Sequence, residues 1–267
     1  SRTVMDGGYL PDYWINYLYS KRDTIDSLDD TIGAHGFNFA FITDEHWPAN
    51  YQKSPEIMRW LKDHTLINRF VSGGDLLNEH STIDEAMRYM RNWRDDVRYL
   101  KMRQIRGNHG INTMQSDPSV YLNDGIVYAN LYRPVECDSD IVMDDGALYF
   151  YEKIESQKVM IFHLDTGDLV TSGLINFDAQ ISWMSSIVST LSSDWSILVI
   201  QHVVYDGGTE LSPNMSTYGT KTINYLSSVS NCNVIGLIGG HTHYDYSDDS
   251  SYSFPVILTA CDSGAQR

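Results

Sequence analysis

The chain has 267 residues, of which 42% are hydrophobic and 20% are charged. These proportions are ordinary for a globular protein that buries a substantial core. The formal net charge is −16, from 35 acidic and 19 basic side chains. This negative field argues against nucleic acid as a partner and against anionic membranes. No apolar run approaches the ~20 residues needed to cross a bilayer, so no membrane insertion is predicted.

The cysteines and the chain ends carry little further information. Cys137, Cys232 and Cys261 are far apart and form no Cys-x-x-Cys pair. Such spacing disfavours a disulfide framework and a thiolate metal site. The chain starts at Ser1 without a signal-peptide pattern, and both ends resemble processing boundaries of a longer protein. The sequence assigns no cellular compartment and no oligomeric state.

Apolar runs rich in β-branched residues alternate along the chain with amphipathic stretches of helical period. The predicted helices are residues 10–28, 55–64, 82–101, 177–191 and 221–229. The predicted strands are residues 37–43, 66–72, 102–105, 147–154, 159–164, 196–200, 234–238 and 254–259. This alternation predicts an α/β sandwich with parallel strands and some antiparallel additions.

The domain organisation follows from the same pattern. Residues 1–267 are predicted to form a single domain, with residues 1–35 as an N-terminal helical extension. The predicted strands 147–154 and 159–164 are joined by a short polar link, which indicates an antiparallel hairpin. Residues 110–146 and 204–219 are predicted to be long loops that shape a site.

Five short polar motifs stand at the ends of apolar runs. Their polar residues, in chain order, are Asp44 and His46, Asp75, Asn108 and His109, His202, and finally His241 and His243. In an α/β sheet, ligands bind in the crevice at the carboxyl ends of the strands. The order therefore predicts that residues from both halves of the chain meet at one edge of the sheet.

The residue types in these motifs indicate a metal centre. Imidazole and carboxylate groups without thiolate suit Mn, Fe or Zn. Each motif alone has a simpler interpretation, since a single strand-end histidine is usually a satisfied polar residue. Seven candidate ligands in order are too many for one tetrahedral ion, whereas two ions that share a carboxylate would use them all. Paired ions ~3.5–4 Å apart clamp the attacking and leaving oxygens in phosphoryl displacement. The candidate ligands are Asp44, His46, Asp75, Asn108, His202, His241 and His243.

These motifs resemble those of the calcineurin-like metallophosphoesterase superfamily. The matching segments are Asp44-Glu45-His46, Gly74-Asp75, Gly107-Asn108-His109, His202 and Gly240-His241-Thr242-His243. They span residues 44–243, and their ordered combination is specific. The resemblance implies a four-layer α/β/β/α sandwich with two mixed β-sheets flanked by helices.

The resemblance also implies a role for each residue. It implies that Asp44, His46 and His243 bind the first metal ion. Asn108, His202 and His241 would bind the second ion, and Asp75 would bridge the two. His109 matches the residue that stabilises the transition state or protonates the leaving group. The implied activity is hydrolysis of a phosphomonoester or phosphodiester by a metal-bound hydroxide at a binuclear centre of two divalent ions, Mn, Fe or Zn.

Departures from the superfamily pattern exclude two of its groups. Gly110 replaces the acidic residue that follows Gly-Asn-His in many members. Asn78 stands where purple acid phosphatases have an iron-binding tyrosine, and residues 78–80 replace the Asp-Arg-Gly of protein phosphatases. The residue that orients His109 is therefore open, with Asn78 and Glu79 as candidates.

Alternative functions stay open at this point. The chain could be a catalytically weak binding or assembly module that retains the fold, although such members usually lack ligands that this chain keeps. A nuclease of the same architecture is disfavoured by the negative charge. The substrate is not assigned. Tyrosines in the two long segments could stack on a base or sugar, or only pack the loops: Tyr121, Tyr128, Tyr132, Tyr205 and Tyr218.

Other polar residues are predicted to have structural roles. His163 and Asp165 are predicted to be an inward and a strand-end polar residue. His35, His64 and His80 are predicted to be surface or loop residues. The basic residues near the third strand are predicted to form a solvated, salt-bridged face: Arg88, Arg91, Arg94, Arg98, Lys101, Arg103 and Arg106.

Overall fold

The structure is a computed structural model. It describes residues 10–32, 37–47, 53–78, 80, 82–109, 111–112, 116–136, 138–144, 146–167 and 173–261. Among these residues the helices are α1 (Asp12–Ile32), α2 (Ser54–His64), α3 (Ile83–Val97), α4 (Asp124–Val127), α5 (Arg133–Glu136), α6 (Gly173–Val188) and α7 (Thr217–Ser228). None of these helices combines the length and apolar character that crossing a bilayer requires.

The described strands form two stacked sheets and one separate two-stranded hairpin. The strands are β1 (Ala40–Ile42), β2 (Phe70–Ser72), β3 (Arg103–Gln104), β4 (Ile141–Val142), β5 (Phe150–Ile154), β6 (Val159–Leu164), β7 (Ser196–Gln201), β8 (Tyr205–Thr209), β9 (Ser212–Met215), β10 (Asn233–Gly239), β11 (Tyr246–Asp248) and β12 (Val256–Leu258). A three-stranded parallel sheet has the order β1-β2-β3. A seven-stranded mixed sheet has the order β11-β12-β10-β7-β6-β5-β4.

The larger sheet is parallel at its centre and antiparallel at its edges. Strands β12, β10, β7 and β6 run parallel to their neighbours within this group. Strands β11, β5 and β4 pair antiparallel to their neighbours. The predicted hairpin of β5 and β6 is confirmed. Parallel strands need both faces covered, which explains why β6 and β7 are apolar almost throughout.

Alternation along the central strands separates the two faces of the larger sheet. In β7, Ile197 and Val199 pack against the layer of α6 and α7, through contacts with residues such as Met184 and Leu226. Leu198 and Ile200 instead face the small sheet, where they pack near Val71. This period of two is what a strand buried on both faces requires.

A third core covers the outer face of the small sheet. Helix α3 contributes the apolar stripe predicted from its helical period, which includes Met90 and Trp93, and packs beside Phe70. Its first turn is capped by the Thr82 side chain, which accepts a hydrogen bond from the Glu85 N–H. The layers are therefore helix, sheet, sheet and helix, and the predicted four-layer α/β class is confirmed. The mixed strand directions lie in the larger sheet; the described strands of the small sheet are all parallel.

Two predicted loops contain regular structure. Residues 204–219 were predicted as a loop, and this prediction was wrong: the segment forms the β8–β9 hairpin and the start of α7. Its glycines and Pro213 hide the strand pattern, since these residues are depleted in strands. Residues 110–146 contain α4, α5 and β4, with a π-helical segment, Tyr128–Tyr132, between the two helices.

A buried ionic network joins the two sheets. Glu152 of β5 is fully buried, and its carboxylate accepts a hydrogen bond from Arg103 Nε at 2.8 Å and contacts Arg69. Its other oxygen lies 2.8 Å from Nε2 of His163, which is also fully buried. Burial raises the pKa of Glu152, but His163 and the two arginines outweigh it and lower the pKa to about 2. His163 is therefore the inward structural residue that the sequence predicts.

Replacing Glu152 with glutamine should destabilise the fold strongly. The Glu152→Gln variant removes the one fully buried carboxylate that pairs with Arg103 and the half-buried Arg69, which keep Asp140 as a shared partner. Removing one member of a buried ion pair costs about 3–5 kcal/mol when the other charge is left unpaired. Because Asp138 and Asp140 still pair with the arginines, we expect a loss near the lower end of that range in urea unfolding at neutral pH. The matched Glu155→Gln change, at an exposed ion pair, should cost less than about 1 kcal/mol.

The pH dependence gives the same prediction an independent check. The folded-state pKa of Glu152 lies below its ordinary value, so its contribution is complete above about pH 4.5 and is lost as the pH falls towards 2. The stability difference between the wild-type protein and Glu152→Gln should therefore shrink over this window. A difference that stays constant from pH 7 to pH 3 would contradict the assignment.

Candidate metal centre

The five polar motifs lie in loops that follow parallel strands. Asp44 and His46 follow β1, Asp75 follows β2, and Asn108 follows β3 of the small sheet. His202 directly follows β7, and His241 lies two residues after β10. The loops after β1 and β2 run side by side, because the Asp44 N–H donates to Gly74 O and the His46 N–H donates to Asp75 O. The side chains converge at the edge where the strands end, as predicted.

One group of possible ligands consists of Asp44, His46 and His243. Nε2 of His243 lies 3.2 Å from Asp44 Oδ1 and 3.3 Å from Nε2 of His46. The other oxygen of Asp44 is already used, since it accepts hydrogen bonds from Thr43 Oγ1 and from the backbone N–H of His241. One carboxylate oxygen and two imidazole nitrogens therefore point to a common position.

A second group consists of Asp75, His202 and His241. Nε2 of His202 lies 3.2 Å from Asp75 Oδ2. Nδ1 of His202 lies 2.9 Å from Gly73 O, to which it donates a hydrogen bond. This hydrogen bond holds one proton on Nδ1, so that Nε2 offers its lone pair to a cation when its own proton is displaced.

The two groups are in contact with each other. Asp75 Oδ2 lies 3.9 Å from Nε2 of His46, and Asp44 Oδ1 lies 3.8 Å from Nε2 of His202. Asp75 is therefore placed between the groups, with one oxygen facing both. Its second oxygen, Oδ1, accepts a hydrogen bond of 2.7 Å from the His109 N–H.

The loop after β3 brings Asn108 and His109 to the same place. Asn108 is buried, and His109 is half-buried. The His109 ring lies 5.2 Å from the His46 ring, centroid to centroid, in an edge-on arrangement. The eight residues singled out from the sequence are thus assembled at one edge of the sandwich.

Buried polar atoms at the centre test whether a metal ion fits. Asp44 Oδ1, Asp75 Oδ2 and His202 Nε2 are buried and make no hydrogen bond with the described residues. Orphaned buried polar atoms are rare and call for a partner such as an ion. Carboxylate oxygen and imidazole nitrogen are donors that Mn, Fe and Zn accept. The residues present therefore fit divalent metal ions.

The electrostatics of the centre follow from two buried carboxylates. Burial alone would lower the pKa of His202, but Asp75 and Asp44 outweigh this effect and raise it to about 9. Burial would likewise raise the pKa of Asp75, but His202, His109 and His46 hold it well below its usual range. The Asp75 carboxylate is therefore ionised at neutral pH and attracts positive charge to the space beside it.

Backbone strain is concentrated at the candidate ligands. Asp44, His46, Asp75, His241 and His243 all have φ between +45° and +74°. Residues other than glycine rarely adopt this left-handed region, and each such position costs on the order of 1–3 kcal/mol. Surrounding contacts must therefore fix these loops, which is common where side chains are aimed at a shared target.

Gly107 shows how closely the loops approach one another. A Cβ atom at this position would lie 2.0 Å from Asp75 Oδ1 and 2.2 Å from the Asp75 nitrogen. Only glycine allows the backbone to pass so close to the carboxylate. The sequence signal for this contact is the glycine that precedes Asn108 and His109.

An ion pair beside the centre, between Arg106 and Asp165, was not predicted from the sequence. Arg106, which directly precedes Gly107, is buried and donates two hydrogen bonds to the Asp165 carboxylate, at 2.9 and 2.5 Å. Thr166 Oγ1 accepts a hydrogen bond from the Val203 N–H. The short loop after β6 therefore connects the loop of Asn108 to the loop of His202. Asp165 has the strand-end structural role that was predicted.

Several other predicted residues are packed rather than exposed. Tyr132 is fully buried, and its hydroxyl accepts a hydrogen bond from the Arg106 N–H. Tyr205 and Tyr218 are also buried, so these three tyrosines pack the fold. His80 was predicted to be a surface or loop residue, and it lies in a loop but not at the surface. It is buried and stacks on Tyr89 at 4.7 Å.

Some predictions fall on residues about which less is described. Glu79, Gly110 and His35 lie outside the described residues. Asn78 is half-buried, and its N–H donates to Trp47 O. The residue that orients His109 thus stays a prediction.

The basic residues near β3 were predicted to form one solvated face, but they lie in two different environments, the surface and the interior. Arg88 and Lys101 form surface ion pairs with Glu85 and Asp138. Arg103 and Arg106 are instead buried in ionic networks. The prediction was therefore wrong for these two arginines, because the buried carboxylates of Glu152 and Asp165 pair with them in the interior.

Comparison with known families now gives the reaction class. The family described as calcineurin-like phosphoesterase matches residues 37–245. The chain belongs to this family. It is therefore a metal-dependent hydrolase that acts on phosphoester bonds, and the resemblance of its motifs is confirmed. Helix α1 lies outside the matched residues.

Comparison with solved structures supports the fold. A dimetal phosphatase from Danio rerio is 13% identical, with a TM-score of 0.64 over 85% of this chain and 88% of that one. A 5′-nucleotidase from Candida albicans is 15% identical, with a TM-score of 0.50 over 85% of this chain and 46% of that one. This chain thus spans about half of the nucleotidase. Comparison with curated protein sequences gave no significant match.

Replacing Gly107 with alanine should disrupt metal binding. The added methyl group would displace the Asp75 carboxylate, and we expect the dissociation constant for Mn²⁺ to rise more than about tenfold, which corresponds to ~1.4 kcal/mol. Isothermal titration of metal-free protein measures this change. The control is Gly125→Ala in α4, where the nearest atom to the new Cβ lies at 3.3 Å. Equal metal affinities in the two variants would refute the close-approach argument.

Proposed function

We propose that this protein hydrolyses a phosphomonoester or phosphodiester at a binuclear metal centre. The observation that carries the proposal is the pair of adjacent ligand groups, Asp44 with His46 and His243, and Asp75 with His202 and His241. Asp75 Oδ2 faces imidazoles of both groups, at 3.2 and 3.9 Å. Two groups that meet at one carboxylate suit two ions better than one.

Each candidate ligand has a proposed place. The first ion would be bound by Asp44, His46 and His243. Asn108, His202 and His241 would bind the second ion, and Asp75 would bridge the pair. Asn108 joins the second group because its loop is tied to Asp75 through the neighbouring His109 N–H. The identity of the metal, Mn, Fe or Zn, is part of the experiment below.

The chain's own residues prepare the centre for phosphoryl transfer. Two divalent ions bound here would supply a hydroxide nucleophile at neutral pH and offset charge on the phosphoryl oxygens. Asp44 and Asp75 fix the positions of these charges with their buried carboxylates. His109, half-buried beside His46, would donate a proton to the departing alkoxide.

The centre is open on one side. The His243 side chain is 43% exposed and that of His241 is 22% exposed, whereas Asp44, Asp75 and His202 are buried. A phosphate ester would therefore approach from the side of the two later histidines. The β8–β9 hairpin borders this opening, because Asp206 Oδ1 lies 3.5 Å from Nε2 of His241. Its exposed residues are candidates for contacts with the rest of the substrate.

The alternative, a catalytically weak binding or assembly module, is not favoured. A module that only binds does not need a histidine beside the metal position, and His109 is retained there. The buried ligand atoms without hydrogen bonds also lower stability unless a cation is bound. The histidine beside the metal position supports catalysis, and the buried ligand atoms support a bound cation.

Metal removal should abolish hydrolysis, and metal return should restore it. We expect purified protein loaded with Mn²⁺, Fe²⁺ or Zn²⁺ to bind close to two ions per chain and to cleave a chromogenic monoester or diester. Chelation should stop the reaction. The control is Asp75→Asn, which should lower both metal content and activity. Fewer than one bound ion per chain with no cleavage of either ester would contradict the proposal.

Replacing His109 should separate catalysis from metal binding. In His109→Asn, loss of general acid catalysis should lower kcat by ~10²–10⁴, while metal content stays at the wild-type level. A leaving group that needs no protonation, such as a nitrophenolate, should show a smaller loss than an alkyl ester. The matched change His64→Asn, at an exposed histidine of α2, should alter neither quantity. Loss of metal in His109→Asn would assign His109 to the ligand set instead.

A further inference from the structure

Glu45 is a buried carboxylate between two candidate ligands. It lies between Asp44 and His46 in the loop after β1, and its side chain is fully buried. Its Oε1 accepts a hydrogen bond of 2.5 Å from Ser72 Oγ, in β2. Burying a carboxylate is costly unless hydrogen bonds satisfy it. A serine or alanine would avoid that cost, so a carboxyl group here calls for an explanation that the metal ligands do not provide.

The hydrogen bond to Glu45 is the last step of a buried chain. Trp93 Nε1 of α3 donates to Gln104 Oε1 of β3 at 3.0 Å. Gln104 Nε2 donates to Ser72 Oγ at 2.7 Å, and Ser72 Oγ donates to Glu45. These four side chains are all buried. They connect the loop after β1 to both neighbouring strands and to the helix that covers the small sheet.

The indole of Trp93 fixes the donor-to-acceptor direction of all the hydrogen bonds in this series. An indole N–H is a donor only, so Gln104 must present its oxygen to Trp93 and its amide nitrogen to Ser72. The Ser72 oxygen receives that donor, and its own proton must then go to an acceptor. Position 45 therefore requires an acceptor, which a carboxylate supplies and a hydrocarbon side chain does not.

The loop that Glu45 anchors is strained at both of its candidate ligands. Asp44 and His46 have φ of 55° and 45°. Strained positions persist only where the surroundings determine them. The backbone N–H groups of both residues bond the loop after β2, and Glu45 adds a side-chain tether to β2 itself. This tether fixes the segment from which both ligands project.

We propose that Glu45 is a positioning residue for the metal centre. Through the relay of Ser72, Gln104 and Trp93, it fixes the orientation of Asp44 and His46 and so sets the affinity of the first metal position. This inference rests on the proposed binuclear centre, and it adds a residue that does not contact the metal. Outer hydrogen bonds of this kind typically change metal affinity by about 10–100-fold.

The decisive comparison is between two substitutions of similar volume. Glu45→Leu removes the acceptor, whereas Glu45→Gln keeps an oxygen that can accept from Ser72. Metal-free protein is titrated with Co²⁺, followed by calorimetry and by the visible spectrum of bound cobalt. We expect Glu45→Leu to weaken one of two binding steps about 10–100-fold, to alter the cobalt spectrum and to leave the other step unchanged. Glu45→Gln should restore both readouts to within about threefold.

A matched control separates positioning from general stability. Asn130→Leu removes a different buried hydrogen bond, from Asn130 Nδ2 to Ile126 O. It should change the midpoint of urea unfolding without changing either cobalt affinity. If Glu45→Leu fails to fold, Ser72→Ala breaks the same relay one step earlier and should show the same selective loss, with Ser72→Thr as its conservative rescue.

The possible failures are distinguishable. Wild-type protein that binds no cobalt would contradict the proposed function itself. Wild-type protein that binds two ions, together with unchanged affinities in Glu45→Leu or Ser72→Ala, would overturn only the role of Glu45. Equal weakening of both steps, or equal weakening in Asn130→Leu, would also overturn it, because a general loss of stability would then explain the result.

Discussion

The Asp75 carboxylate is the interaction on which the rest of the centre depends. One oxygen is bound to the His109 N–H, which leaves the other oxygen facing imidazoles from both sheets of the sandwich. This geometry requires the loop after β3 to pass within van der Waals contact of the carboxylate, and Gly107 allows that approach. It also requires β7 to end where β2 ends, which the packing of the two sheets provides. The fold therefore serves to bring two loops, distant in sequence, to one carboxylate.

The interface between the sheets is mostly apolar, yet it contains charged groups at defined places. Val71 and Ile161 represent the apolar part. At one place Glu152 forms an ion pair with Arg103. At the other, Arg106 forms an ion pair with Asp165 beside the loops that carry the candidate metal ligands. Each pair is buried with its own opposite charge, so desolvation is offset by direct hydrogen bonds. Their effect is to fix the register of elements that hydrophobic contacts alone would leave less specific.

Much of this arrangement follows from local sequence, and some of it does not. Continuous apolar runs place β6 and β7, and glycine followed by a polar residue marks where Asp75 and Asn108 turn into the site. The β8–β9 hairpin was missed because its strands are short, polar and rich in glycine, so tertiary contacts rather than propensity determine them. The pairing of Arg106 with Asp165 joins residues 59 positions apart. No local pattern specifies which arginine of a basic run turns inward.

The buried charges differ in how they are neutralised, and this difference explains where the metal belongs. Glu152 and Asp165 have arginines, whose charge is permanent. The ion pairs of Asp44 and Asp75 within the described residues involve only histidines, which are cationic when protonated. A divalent cation can replace those protons, since imidazole nitrogens then act as ligands rather than acids. The same two carboxylates that raise the pKa of His202 would therefore attract the metal. The positive charge of protonated histidines can be exchanged for that of a metal ion, whereas the positive charge of arginines cannot.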